Sequence, residues 1–466
     1  MKPFAHDPTR PDRNPRSADS LVRECRAVRC YARTKLSALR DMRQTRPRRV
    51  RARLLAAVSF GAVLVLLGSW CASAQVTYQT VFSFQQGMYP NSKLIEGSDG
   101  ALYGTTRSGT GTGTAFKLNK DGSGFEVLHE FSGTPIGGLV EAQDGALYGT
   151  TEWDGANCPD GTVFTLHKDG NCYAVLHKFV GDDGAAPQRL VAGTDGALYG
   201  TTGWGGTNGG GVVFKVNRDG CGFSVLLDAP VCGADLTEGS DGVLYAARQY
   251  SGTVFKLNRD GSGYTVLQNG LTGDRFPNPG LLFEGSDGAL YGTTLGGVFK
   301  LSKDGSGYSV LADVHDPSGL IEGSDGFLYG TTASFGRDRE GVLFKLNKDG
   351  SGFVVLHIFF RSLGGLPPFI SEPVEASDGA LYGIIGSGSV FRLQPAPEVF
   401  LQLTPEGPSV RFAGQRGRTY EIECASAVTG PWETIATRLA PPDNVIECID
   451  ATPSSSAAFY RVRRVP

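Results

Sequence analysis

Short apolar runs separated by Asp-Gly turns make up most of the chain after residue 75. Each unit reads as four strands. In the first unit, Lys93-Leu94-Ile95-Glu96 meets a Gly-Ser-Asp-Gly turn. Residues 101–106, a variable loop, residues 114–119, the turn 120–124 and residues 125–131 follow. Neighbouring apolar pairs such as Val163-Phe164, Val213-Phe214 and Val298-Phe299 break the alternation of a half-buried strand, so these strands are expected to be covered on both faces. No stretch after residue 75 holds a helical period.

Asp-Gly-x-Leu-Tyr returns at Asp99, Asp144, Asp195, Asp241, Asp287, Asp325 and Asp378, with a mean spacing of about 46 residues, a period typical of propeller blades. The seventh unit ends after Phe391-Arg392-Leu393 with no fourth strand. At the other end, Tyr78-Gln79-Thr80-Val81-Phe82-Ser83-Phe84 matches 125–131 position by position. The N-terminal segment is therefore expected to complete the last unit, joining the termini and leaving no open edge. The expected architecture is all-β: a seven-bladed β-propeller over 75–394, closed by an N-terminal strand. After a Pro-Ala-Pro linker at 395–397, residues 398–466 lose the repeat and suit a small β-sandwich of immunoglobulin or fibronectin type III style. Its strands are expected at 399–403, 409–412, 419–424, 445–449 and 459–463.

The repeated Asp and Gly have a backbone explanation, since Asp bonds nearby N–H groups and Gly takes positive φ. One carboxylate per turn falls short of the six to eight oxygens that calcium takes. No metal and no cofactor is expected. His129, His177 and His357 recur at one repeat position in separate units, so they are not expected to converge.

Charge divides the chain. Residues 1–53 hold 16 Lys and Arg against 5 Asp and Glu, 54–74 hold neither sign, and the rest carries a net charge of −14. A basic segment, the apolar run 54–68 and Ala72-Ser73-Ala74 read as an export signal over 42–74, cleaved before Gln75. Residues 1–41 are expected to be an extension outside the native protein, with Met42 as the start. The protein is then secreted, periplasmic or at the cell surface, with no membrane span after cleavage, and monomeric. An acidic body makes nucleic acid an unfavourable partner. Six cysteines follow the leader, and an even number in an exported chain favours disulfides. Cys424 pairs naturally with Cys448, and the expected pairs between neighbouring blades are Cys158–Cys232 and Cys172–Cys221.

Seven copies of the Gly-Ser-Asp-Gly-x-Leu-Tyr-Gly-Thr-Thr pattern, followed by Val-Phe-Lys-Leu-Asn-x-Asp-Gly-Ser-Gly, resemble the GloVer tandem-repeat family of exported bacterial proteins over about residues 78–394. The resemblance implies fold and export and supplies no catalytic residues.

Candidate chemistry lies where the repeats stop agreeing. In a propeller the loops between second and third strands share one face, and they carry Arg107, Trp153, Asp154, Trp204, Tyr250, Phe335 and Arg337. Aromatic rings beside Asp and Arg suit sugar rings and their hydroxyls, so the leading reading is a binding module for extracellular glycan or protein. A carbohydrate-active hydrolase or lyase is the alternative, with carboxylates drawn from Glu152, Asp154 and Asp338. A structural envelope protein is the third. No Gly-x-Ser-x-Gly, His-Glu-x-x-His or P-loop pattern is present, and no catalytic residue is assigned.

Overall fold

The computed structural model describes residues 77–464, except 91, 155–157, 230, 232–233, 249–251, 271–281, 295, 336–339, 361–369, 396–398, 405–406, 414–418, 426–432, 441–444 and 451–458. The leader lies outside the described residues, as do Cys232, Tyr250 and Arg337. Among the described residues every regular element is a strand, and no helix is long and apolar enough to cross a membrane.

Each repeat forms one antiparallel sheet. The first contains Tyr89–Pro90 and Ile95–Glu96, then Leu102–Arg107, Gly113–Leu118 and Glu126–Phe131 in that order. Five further sheets repeat the pattern with four strands each. The seventh takes its outermost strand from the other end of the chain. Thr77–Ser83 pairs antiparallel with Ser389–Gln394, placing Tyr78 opposite Leu393 and Thr80 opposite Phe391. The strand expected to complete the last repeat is the one that does so.

The second and third strands are covered on both sides. Leu102, Tyr103, Phe116 and Leu118 have no solvent exposure, and their counterparts in the other sheets are similarly buried. Tyr103, Leu128 and Phe131 of the first sheet share a cluster with Leu147, Phe164 and Leu166 of the second. Corresponding clusters join each sheet to the next, and Leu94, Leu102 and Phe116 pack with Tyr382, Ile384 and Val390 to join the seventh sheet to the first. The sheets thus form a closed ring with continuous apolar packing between neighbours.

A bulge recurs in the outermost strand. Phe116 faces Val127 and Ala115 faces His129, so Leu128 is the extra residue. Leu176, Leu226, Leu267, Leu311 and Leu356 are extra in the same way, and Val81 is extra in the N-terminal strand. A bulge bends the outer strand and turns its backbone out of the ladder. The next sheet uses that bend: the turn glycine Gly122 (φ +86°) lies so close that a Cβ there would strike the Val81 carbonyl. Gly170, Gly220, Gly261, Gly305 and Gly350 meet the bulged carbonyls of Leu128, Leu176, Leu226, Leu267 and Leu311. This glycine is needed both for its φ and for the contact.

The histidines after the bulges are packing groups. His129 stacks on Tyr173 and His177 on Phe223, each in the following sheet. His357 stacks on Tyr78 with ring centroids 3.8 Å apart, so the N-terminal strand occupies the same place as any other outer strand. Burial lowers all three, His357 to about 4.

Beyond the ring, Val399–Thr404, Gly407–Ala413 and Val445–Ile449 form one sheet, and Glu433–Leu439, Thr419–Ala425 and Phe459–Arg464 form another. Val410, Phe412 and Ile446 of the first meet Tyr420 and Ile422 of the second in a single core. Glu433–Leu439 is a strand that the sequence pattern did not reveal.

The expected disulfides are not formed among the described cysteines. Cys158, Cys424 and Cys448 are buried free thiols, and Cys172 and Cys221 are exposed ones. Cys172 and Cys221 occupy the same turn in consecutive sheets. Sheets packed face to face stand about 10 Å apart, whereas a disulfide spans Cα atoms at most about 7 Å apart. Cys424 and Cys448 lie in opposite sheets beside the shared core, and burial raises both thiols.

Two measurements check this packing. Gly145 has φ +78° and open space around it, so Gly145→Ala should cost about 1 kcal/mol in urea unfolding. Gly122→Ala, which also pushes on Val81, should cost at least twice as much. A depressed histidine binds its proton more weakly folded than unfolded. His357 should therefore contribute stability fully above about pH 6.5 and lose it as pH falls toward 4. His357→Phe should flatten part of that acid limb in pH-dependent melting.

Candidate functional site

The turn face is occupied by structural contacts. Asp99 accepts hydrogen bonds from the Tyr103 hydroxyl at 2.8 Å, the Lys117 ammonium at 2.9 Å and the Ala101 N–H at 3.3 Å. The Tyr-to-Asp bond recurs in the other six sheets at 2.6–3.0 Å. Burial favours the neutral Asp99 carboxyl, but Lys117, Tyr103 and Ala101 outweigh it and hold the group at about 2. In the second turn, Asp121 accepts from the Ser123 N–H at 2.9 Å and the Ser123 hydroxyl at 2.7 Å.

The same face ties sheet to sheet. Ser98 donates its N–H and hydroxyl to Glu141 of the next sheet at 2.8 and 2.6 Å, and Lys168 reaches both residues. Thr194 bonds Glu238, Ser240 bonds Glu284, Ser286 bonds Glu322 and Ser324 bonds Glu375 in the same way. At the closure, Ser377 bonds Glu96, which also pairs with Lys120.

On the opposite, loop-bearing face, three predicted residues sit at strand ends of consecutive sheets. Arg107 ends the second strand of the first sheet, is exposed, and lines a cavity of about 270 Å³ with Met88, Thr112 and Glu130. Trp153 ends Leu147–Trp153 and remains 39% exposed; Trp204 ends Ala197–Trp204 and remains 59% exposed. Asp154 is anchored locally, accepting from the Ser132 hydroxyl at 2.7 Å and the Tyr173 hydroxyl at 3.4 Å. Phe335 ends the strand Leu328–Phe335. No hydrogen bond, ion pair or ring contact joins Arg107, Trp153 and Trp204 to one another.

The middle of the ring holds a group that the sequence reading missed. Aligned on the innermost strand, one repeat position reads Lys93, Gly138, Arg189, Asp235, Gly319 and Glu372 among the described residues. Its four charged members belong to the first, third, fourth and seventh sheets, yet they meet. Arg189 Nη1 stands 3.1 Å from Glu372 Oε2 and 3.3 Å from Asp235 Oδ2, and Lys93 Nζ is 3.6 Å from Glu372 Oε2. Side-chain exposures of 10–28% leave all four mostly buried. Burial, reinforced by Arg189, lowers Lys93. Burial also raises Asp235 despite Arg189. Burial works against the Arg189 charge too, but Asp235 and Glu372 outweigh it.

Two cations balance two anions, so this inner cluster carries local polarity without net formal charge. Perturbed charges converging in a recess are a recurring mark of functional sites. Each member alone looks like a solvated residue at the start of a strand. The available signal was the repeat alignment, which shows charge replacing Gly at one inner position. Removing Arg189 leaves Asp235 without its cation and Glu372 with Lys93 alone, and breaking such a set costs about 3–5 kcal/mol. Arg189→Met should therefore destabilise strongly in urea unfolding, with Asp235→Asn much milder, since it leaves Arg189 paired to Glu372.

The Gloeobacter/Verrucomicrobia repeat model matches in three overlapping registers, at residues 70–245, 132–297 and 234–416. None of the curated proteins matches the chain in sequence. Among solved structures, virginiamycin B lyase from Staphylococcus aureus superposes with a TM-score of 0.54 at 14% identity, covering 69% of this chain and 100% of the lyase. Oligogalacturonate lyase from Vibrio parahaemolyticus gives 0.50 at 12% identity, with 69% and 97% covered. The extracellular domain of a hybrid two-component system from B. thetaiotaomicron gives 0.50 at 11% identity, with 84% and 55% covered. At these identities the likeness is one of fold, a β-propeller-like repeat architecture shared by proteins of different function.

Proposed function

Since the chain belongs to the Gloeobacter/Verrucomicrobia repeat family, whose repeat here builds a closed ring of sheets, we propose an exported seven-bladed β-propeller that binds an extracellular glycan or protein on its loop face. An immunoglobulin-like sandwich follows as a spacer or docking module, and the protein acts as a monomer. The observation that carries the reading is the pair of exposed indoles, Trp153 and Trp204, at corresponding strand ends of consecutive sheets. A buried tryptophan would stabilise the fold, whereas an exposed one exposes apolar area that a partner can cover. Arg107 and Asp154 add polar groups on the same face, and their combination with flat aromatic surface suits a sugar ring with its hydroxyls.

A hydrolase or lyase is the second reading, and the axial group favours it: Asp235 and Glu372 flank one guanidinium in a recess, with Lys93 beside them. A glycan array run on the purified protein beside a chromogenic glycoside panel separates the two. Binding without turnover is expected. Trp153→Ala with Trp204→Ala should weaken binding about tenfold or more, the loss of about 1.4 kcal/mol or more. Binding that survives the double substitution removes the aromatic platform. Turnover that disappears in Asp235→Asn but not in the tryptophan variant selects the enzyme.

A further inference from the structure

The connection that enters the first sheet is longer than the one that enters the second. Phe84 and Phe131 are equivalent, as are Pro90 and Pro135, which face Thr106 and Thr151. Five residues, 85–89, lie between Phe84 and Pro90, and three, 132–134, lie between Phe131 and Pro135. The short connection lies tight on its sheet: a Cβ on Gly133 would strike the Trp153 carbonyl. The longer one stands off. Gly87 (φ +98°) has nothing within 4 Å of the place a Cβ would take. With Met88 it lines the cavity of about 270 Å³, together with the strand ends at Arg107, Gly113 and Phe131.

Opposite charges share this cavity without meeting. Arg107 and Glu130 both line it, yet among the described residues neither side chain makes a hydrogen bond or an ion pair. The hydroxyls around them are already engaged, Thr106 with Thr114 at 2.8 Å and Ser108 with Thr112 at 2.7 Å. The two charges are therefore the groups left for a ligand. An anion would suit Arg107 and be repelled by Glu130, and a cation would do the reverse. A neutral ligand would displace water from both and offer neither a counter-charge. A molecule carrying both signs satisfies both, with a carboxylate on the guanidinium and an ammonium on the carboxylate. The volume lies near the lower end for small-ligand sites, which fits one compact molecule.

We propose that this cavity binds a free α-amino acid, its carboxylate held by Arg107 and its ammonium by Glu130, with Met88 as an apolar wall. The site shares Arg107 with the glycan reading but uses neither tryptophan, so the two stand or fall separately.

The test is thermal unfolding of the purified protein at constant ionic strength with each of the common amino acids in turn. At least one should raise the midpoint saturably, by about 2–4 °C. Calorimetric titration then compares that amino acid with its amide and with its des-amino acid, each of which should bind about tenfold more weakly or worse. Arg107→Gln and Glu130→Gln, both at exposed positions, should each abolish the shift, and Trp153→Ala with Trp204→Ala should keep it. No shift from any amino acid overturns the proposal, as does a shift that survives both single substitutions. A des-amino acid that binds as tightly as its parent overturns the assignment of the ammonium to Glu130.

Discussion

The pairing of Thr77–Ser83 with Ser389–Gln394 is the contact on which the ring depends. Every sheet buries both faces, so any break exposes two apolar surfaces at once. The N-terminal strand prevents this from both sides. Tyr78 lies on His357 of the sixth sheet, and Phe82 lies on Phe125 of the first at 4.7 Å between ring centroids. The Gly122 turn packs against its bulge, and Ser377, Glu96 and Lys120 close the turn face over the same junction. Backbone pairing, ring stacking and charged hydrogen bonds thus reinforce one another where chain continuity is lacking.

Repetition made much of this fold legible. The Val-Phe pairs signalled two-sided burial, and the orphan segment 78–84 pointed to the strand that closes the ring. The bulges were hidden, because Leu128 reads as an ordinary apolar strand residue until its pairing with the third strand is counted. Glu433–Leu439 was hidden for the opposite reason: it is partly or fully exposed along its length and presents no apolar stripe. Trp153 and Trp204 were singled out because the loops diverge visibly, but the sequence placed them in loops and the structure places them at strand ends. The axial charges were not singled out, because closeness at the centre is a property of the whole ring. Lys93 and Glu372 are 279 positions apart in sequence and touch only once the seventh sheet meets the first.

Departures from the repeat fall into two classes with different physical meaning. Some are compensated in place. Thr165 removes the lysine that would pair with Asp144, and Arg218 reaches across from the next sheet. Such a change preserves the charge pairing that holds two sheets together. Others satisfy no evident packing need. Trp153 and Trp204 keep a large part of their indole surface in solvent, and the inner cluster replaces glycine with paired charges whose desolvation offsets much of their attraction. A propeller core stable through apolar packing alone gains little from either. The energetic cost of retaining them is thus not offset by apolar packing, and it arises in two places, the loop-bearing strand ends and the inner charged cluster.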